Sequence, residues 1–195
     1  MSTSALPKGH RLHLGIAEQG KLFALKGDHA QALTCYREAI RMAVSTGSPE
    51  VFFRHYMECT LESLERMGAY PDVITYTDRA IAHHATLAPT SEEQKALIRA
   101  DLVSIYQRRG AVLLKAGRIA EARAALEKAL SLAREGNIDL PLAQTLLGWI
   151  TRGFHIDAHR ILLEQEARRY FGVRPDAVDP ALAVALPRME VTGHG

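Results

Sequence analysis

The stretch GAVLLKAGRIAEARAALEKAL, residues 110–130, decides the fold. Gly110 and Leu113 stand three apart before Gly117, and beyond it Ala122, Leu126 and Ala129 recur at four and three, the spacing of residues sharing one helix face. Gly117, between the two runs, is the glycine that follows the first helix. The stretch therefore predicts a helix, a tight turn and a second, antiparallel helix. Gly110 and Ala122 are small where two such helices touch, and a large side chain at either place would push them apart. An earlier segment repeats the pattern, with Gly20-x2-Phe23, then Gly27, then Ala32-x3-Tyr36-x2-Ala39. Phe23, Tyr36 and Leu126 are the large residues expected to fill the space between helix pairs.

Working outward, Gly27, Gly68, Gly117 and Gly153 align four copies separated by 41, 49 and 36 residues. The second copy keeps Leu61-x2-Leu64, Gly68 and Ala80, and the fourth keeps Trp149, Gly153, Ala158 and Leu162. Helix starts fall between them. Ser48-Pro49-Glu50 reads as an N-cap, a first-turn proline and an acid set against the helix dipole. Thr90-Ser91-Glu92-Glu93 has the spacing of a capping box. Tyr70-Pro71-Asp72 and Asp139-Leu140-Pro141 mark two more starts. No segment alternates as a strand would, so the chain reads as all-α with about eight helices.

These paired motifs resemble the tetratricopeptide repeat (TPR), over about residues 13 to 171. The spacings above 34 residues are similar to the longer variety of that repeat found in kinesin light chains and bacterial peptide-sensing regulators. The resemblance implies antiparallel pairs stacked as a right-handed α-solenoid of about four repeats. It also implies a concave groove, lined by the first helix of each pair, that takes a peptide or protein segment. Carried over position by position, the groove takes Ala17, Glu18, Lys21 and Leu25 from the first repeat, and His55, Glu58, Cys59, Glu62, Glu65 and Arg66 from the second. The third supplies Ser104, Gln107, Arg108, Ala111, Leu114 and Lys115, and the fourth Ala143, Gln144, Leu147 and Thr151. Glu58, Glu62 and Glu65 form an acidic stripe, and Arg108 with Lys115 a basic one. Either the two stripes orient a partner of complementary charge or they pair with each other as exposed ion pairs. TPR proteins that bind chaperone tails use a dicarboxylate clamp. Here its places hold Ala17, Lys21, Cys59, Ser104 and Arg108, of which the arginine alone fits, so chaperone-tail recognition is disfavoured.

Composition narrows the alternatives. The chain has 195 residues, 24 Lys plus Arg against 22 Asp plus Glu, and 47 % hydrophobic residues, ordinary values for one globular domain. A net charge of +2, with neither half strongly basic, gives no footprint for nucleic acid. No apolar run approaches 18 residues, so neither membrane insertion nor export is expected. Cys35 and Cys59 have no metal-ligand or disulfide spacing, and a reducing cytoplasm suits them. No nucleotide, nucleophile-elbow or zinc-protease motif occurs, and no enzyme activity or cofactor is expected. His155-x3-His159 has a ligand-like spacing around Asp157 without a third ligand, and reads as two solvent-facing histidines.

Near the end, Ile156, Ala158, Ile161, Leu162, Leu163, Ala167, Tyr170 and Phe171 make an apolar surface wider than one stripe, whereas a terminal repeat needs a polar outer face. Either the apolar segment 179–187 folds over it or a second subunit does, giving a homo-oligomer through the terminal helices. The expected organisation is a flexible N-terminus over 1–9, a repeat domain over 10–172 and a C-terminal tail over 173–195, a candidate cap, with frayed ends at 1–9 and 188–195. The expected function is a non-enzymatic adaptor or scaffold that binds a peptide or protein segment. The alternative is a regulatory domain that senses a small signalling peptide in the same groove.

Overall fold

The computed structural model describes residues 8–186. Eight α-helices form: α1 (Lys8–Leu25), α2 (His29–Ser45), α3 (Glu50–Arg66), α4 (Tyr70–His84), α5 (Glu92–Lys115), α6 (Ile119–Glu135), α7 (Pro141–Thr151) and α8 (Ala158–Ala167). No strand occurs among the described residues, and within α1–α3 and within α4–α8 successive helices pack as neighbours, the all-helical TPR-like architecture that the repeats predict. The expected frayed ends lie outside the described residues, apart from positions 8 and 9, which open α1. The chain divides into two compact units, one of residues up to Met67 together with those from Gly172 on, the other Gly68–Phe171. The division falls inside the second helix pair of the repeat alignment.

In the first unit α1 and α2 form an antiparallel pair, and α3 packs on both. The turn between α1 and α2 hangs on Gly27, whose φ of +80° is left-handed; there the Asp28 N–H donates to the Phe23 carbonyl at 3.0 Å and the Gly27 N–H to Ala24 at 3.0 Å. This is a Schellman closure, and it satisfies carbonyls left open by the last turn of α1. Asp28 then caps α2 by accepting from the Gln31 N–H at 3.1 Å. A Cβ on Gly20 would stand 2.6 Å from Tyr36 Cε1, so the glycine is the hollow that receives the tyrosine ring.

The second unit repeats the device. Gly117 has φ +76°, Arg118 N–H donates to the Leu113 carbonyl at 2.9 Å, and a Cβ on Gly110 would lie 2.6 Å from Leu126 Cγ. Leu126 thus fills the interior of its own pair rather than the expected space between pairs, and Tyr36 does both, meeting Gly20 of its own pair and Cys59 of α3. Gly68 and Gly153, the other aligned glycines, are left-handed too. Helices α4, α5, α6, α7 and α8 then follow as packed neighbours. At the α7–α8 turn Arg160 stacks over Trp149, its guanidinium carbon 4.4 Å from the ring centroid.

Two helix starts differ in detail from the sequence reading. Ser48 does not cap α3; its hydroxyl bonds with His13 Nε2 at 3.0 Å, His10 Nδ1 at 3.2 Å and Thr46 Oγ1 at 2.7 Å, and Pro49 takes the cap position with no side-chain bond. The capping box of α5 is shifted by one residue. Ser91 accepts from the Gln94 N–H at 3.2 Å, and the Gln94 side chain reaches back to the Thr90 N–H at 2.8 Å.

The tail from Gly172 is extended, with short 3-10 turns at Pro175–Ala177 and Pro180–Leu182. It lies against the first helix pair and α3, and not over the last helix, for which the sequence offered either this segment or a second subunit as cover. The Val184 N–H donates to the Gly15 carbonyl at 2.9 Å, and a Cβ on Gly15 would meet Val184 Cγ2 at 2.5 Å and the Leu182 carbonyl oxygen at 2.7 Å. A glycine inside α1 costs about 1 kcal/mol against alanine. Its missing side chain is the room that the tail occupies.

Candidate functional site

Two first helices of the repeats, α1 and α3, lie together in the first unit, and their side chains hold the tail through its main chain. Glu18 on α1 is 5 % exposed; its Oε1 accepts from Lys21 Nζ at 2.7 Å and its Oε2 from the Asp179 N–H at 3.0 Å. Glu62 on α3 is 4 % exposed, and its Oε2 accepts from the Gly172 N–H at 2.9 Å and the Val173 N–H at 3.0 Å, with Arg66 Nε 3.6 Å from its Oε1. A carboxylate withdrawn from water to this extent requires donors for its oxygens. An extended segment supplies them from its backbone without regard to its sequence.

Between the two carboxylates the face is apolar. Val173 is buried with Ala32, Tyr36 and Cys59, and Val178 packs against that cluster. Farther along, Leu186 packs on the cluster of Ile16, Ala17 and Tyr56. The Tyr36 hydroxyl lies buried without a hydrogen-bond partner, and burial pushes its pKa far up. Cys59 Sγ is 4.0 Å from His55 Nε2, a pairing that in an enzyme could activate a thiol. Burial instead raises the Cys59 pKa to about 12, so the thiol stays protonated and unreactive. Crowding by protein atoms, and then the charge of Lys21, hold the imidazole of His55 below the ordinary histidine range although its edge remains exposed.

The predicted site residues separate by exposure. Leu25, His55 and Glu58 are exposed on α1 and α3, as is Gln144 on α7. Lys21, Cys59, Glu62, Glu65 and Arg108 are buried, and Gln107, Lys115 and Leu147 are half-buried. The acidic stripe is therefore not the exposed surface its helical spacing suggested: Glu58 reaches solvent, whereas Glu62 is turned to the tail and Glu65 is sealed at 1 % exposure. In the second unit the basic stripe on α5 meets aromatic rings. The Arg108 guanidinium lies 5.2 Å from the Tyr170 centroid and Lys115 Nζ 5.8 Å from that of Phe171, and the two rings pack edge to face at 5.0 Å. His155 precedes α8 and His159 lies in its first turn, where Asp157 caps the helix by accepting from the Arg160 N–H at 2.7 Å. Their i, i+4 spacing is therefore not carried by one helix.

Gly15, Tyr36 and the tail residues Val173 and Asp179 were outside the predicted site. A mid-helix glycine at position 15 is the one signal that something passes close to α1. Nothing in the spacing of the tail tells which helix it meets.

Two hairpins of antiparallel helices, α1/α2 and α5/α6, each closed by a left-handed glycine and keyed by a second glycine, have the form of units of an α-helical repeat protein. Residues 103–135, the end of α5 through α6, match the tetratricopeptide repeat family. The match covers one helix pair, and the paired helices of the rest of the chain are similar to the same repeat. No curated protein and no solved structure matches the chain. The repeat is of a kind that generally serves non-catalytic protein–protein interaction. Among the described residues no helix is long and apolar enough to cross a membrane.

Proposed function

We propose that the protein is a non-catalytic adaptor or scaffold that binds a peptide or protein segment on the first-helix face of its repeats. The observation that carries this reading is the pair of buried carboxylates, Glu18 and Glu62, accepting main-chain N–H groups from an extended segment. Such a face is suited to peptide capture because the backbone bonds give affinity while neighbouring side chains select. His55 and Glu58 are exposed beside the buried pair, at positions where an incoming segment would be read.

The test is quantitative capture of partners from a cytosolic extract by the full chain, with mass spectrometry as readout. Glu58→Lys should reduce capture several-fold, and the exposed second-helix control Lys128→Glu should not. Equal capture by all three proteins, or equal loss in both variants, would overturn the assignment to the first-helix face.

A further inference from the structure

We propose that residues 172–186 are an exchangeable ligand in cis, and that the α1/α3 face accepts an outside extended apolar segment by displacing them. The proposal rests on the peptide-binding reading above and adds the identity of the resident occupant and the class of segment that replaces it.

Three observations carry it. First, Glu18 and Glu62 each turn one oxygen to tail N–H groups while the other oxygen faces Lys21 or Arg66, so an incoming extended backbone can take over the same main-chain bonds. Exchange of one extended backbone for another keeps those bonds, whereas simple release does not. Second, the tail is lightly held. Val173 is buried, but Pro175, Asp176, Ala177, Asp179, Pro180 and Ala181 are all exposed. Third, the fit is incomplete, since the buried Tyr36 hydroxyl in the cluster that Val173 enters has no partner. An outside segment with a hydroxyl or amide at the place of Val173 can supply one. The chemistry therefore fits an extended, mostly apolar segment with consecutive free N–H groups to meet Glu62, a further N–H for Glu18, and small side chains where Gly15 leaves room.

A tail tethered to its own site competes at an effective concentration of roughly millimolar, so the native chain should take an outside segment weakly. The probe is a synthetic, end-blocked peptide of residues 172–186 carrying a fluorophore, titrated with full-length protein and read by anisotropy. In the full chain, Val173→Asp with Leu186→Asp removes two of the tail's apolar anchors and leaves α1 to α3 untouched. This variant should bind the peptide one to one and at least ten-fold more tightly than the native chain does. Adding Gly15→Leu should abolish that binding. Peptide bound by neither protein, or equally by both, would overturn the proposal. Should the released variant fail to fold, hydrogen exchange on the native chain decides: amides of Val173, Asp179 and Val184 should exchange at least 100-fold faster than those in α1. Exchange of these amides only with α1 would mean that the tail never leaves. Peptide exchange needs no outside partner, so it can succeed where capture through Glu58 fails, and the reverse.

Discussion

Replacing Glu62 by glutamine keeps the shape of the side chain and one carbonyl acceptor but removes the charge. Two main-chain donors, Gly172 N–H and Val173 N–H, converge on one carboxylate oxygen at 2.9 and 3.0 Å. Hydrogen bonds to a charged group contribute about 1.5–3 kcal/mol and neutral ones about 1 kcal/mol, so the two bonds together should lose about 1–2 kcal/mol after allowing for the geometry that glutamine retains. That loss falls on the tail alone, because α1, α2 and α3 keep their packing. In native-state hydrogen exchange it corresponds to roughly 5- to 30-fold faster opening at Gly172 and Val173, with the amides of α2 unchanged. Glu62→Ala should go further, since it leaves both N–H groups with no acceptor. Unaltered exchange at 172 and 173 in Glu62→Gln would show that the carboxylate does not seat the tail.

Gly20→Ala should destabilise the first pair by about 1–3 kcal/mol of overpacking against Tyr36, offset by up to about 1 kcal/mol of helix propensity. Tyr36→Leu in the same chain should recover part of the loss, and a double-mutant cycle on melting temperatures with no favourable coupling would contradict the fit of ring into hollow. Tyr36→Phe removes a buried hydroxyl that lacks a partner and should leave the melting temperature unchanged or raise it by roughly 2–4 °C for about 1 kcal/mol; a fall would refute the burial without a bond. Burial holds His13, His29 and His55 below the ordinary value of 6.5. The unfolded chain therefore binds more protons than the folded one below about pH 6.5, and stability, complete above that value, should decline as pH falls through it. Chemical denaturation between pH 7.5 and 5 measures this; His13 Nδ1 lies 2.7 Å from the Tyr56 hydroxyl, and His13→Gln, which keeps a polar partner there, should flatten part of the slope.

The fold was legible because its signals are local. Gly27 and Gly117 mark turns that only a left-handed residue closes well, and the small residues Gly20 and Gly110 mark helix contacts, so pairing follows from spacing. The caps were legible only in part. Ser48 has the right chemistry for a cap, but His13 and His10, 35 and 38 residues away, claim its hydroxyl. The candidate face was half legible. Helical spacing puts Glu58, Glu62 and Glu65 on one side of α3, and it cannot say that a segment 110 residues later covers Glu62. Likewise Arg108 and Lys115 read as a charged stripe, while Tyr170 and Phe171, which they face, carry no pattern that ties them to α5. Contacts between residues distant in sequence are set by tertiary packing, and periodicity is blind to them.

Peptide binding on the first-helix face depends on the seating of an extended segment against α1 and α3. Isotope-edited nuclear Overhauser spectra of the full chain measure that seating by proximity alone. Cross-peaks are expected from the Val184 methyl groups to the Gly15 α-protons and from the Val173 methyl groups to the residues of its cluster, Tyr36 or Cys59. Spectra in which Val184 and Val173 show contacts only to their own sequence neighbours, with α1 and α3 folded, would contradict that seating.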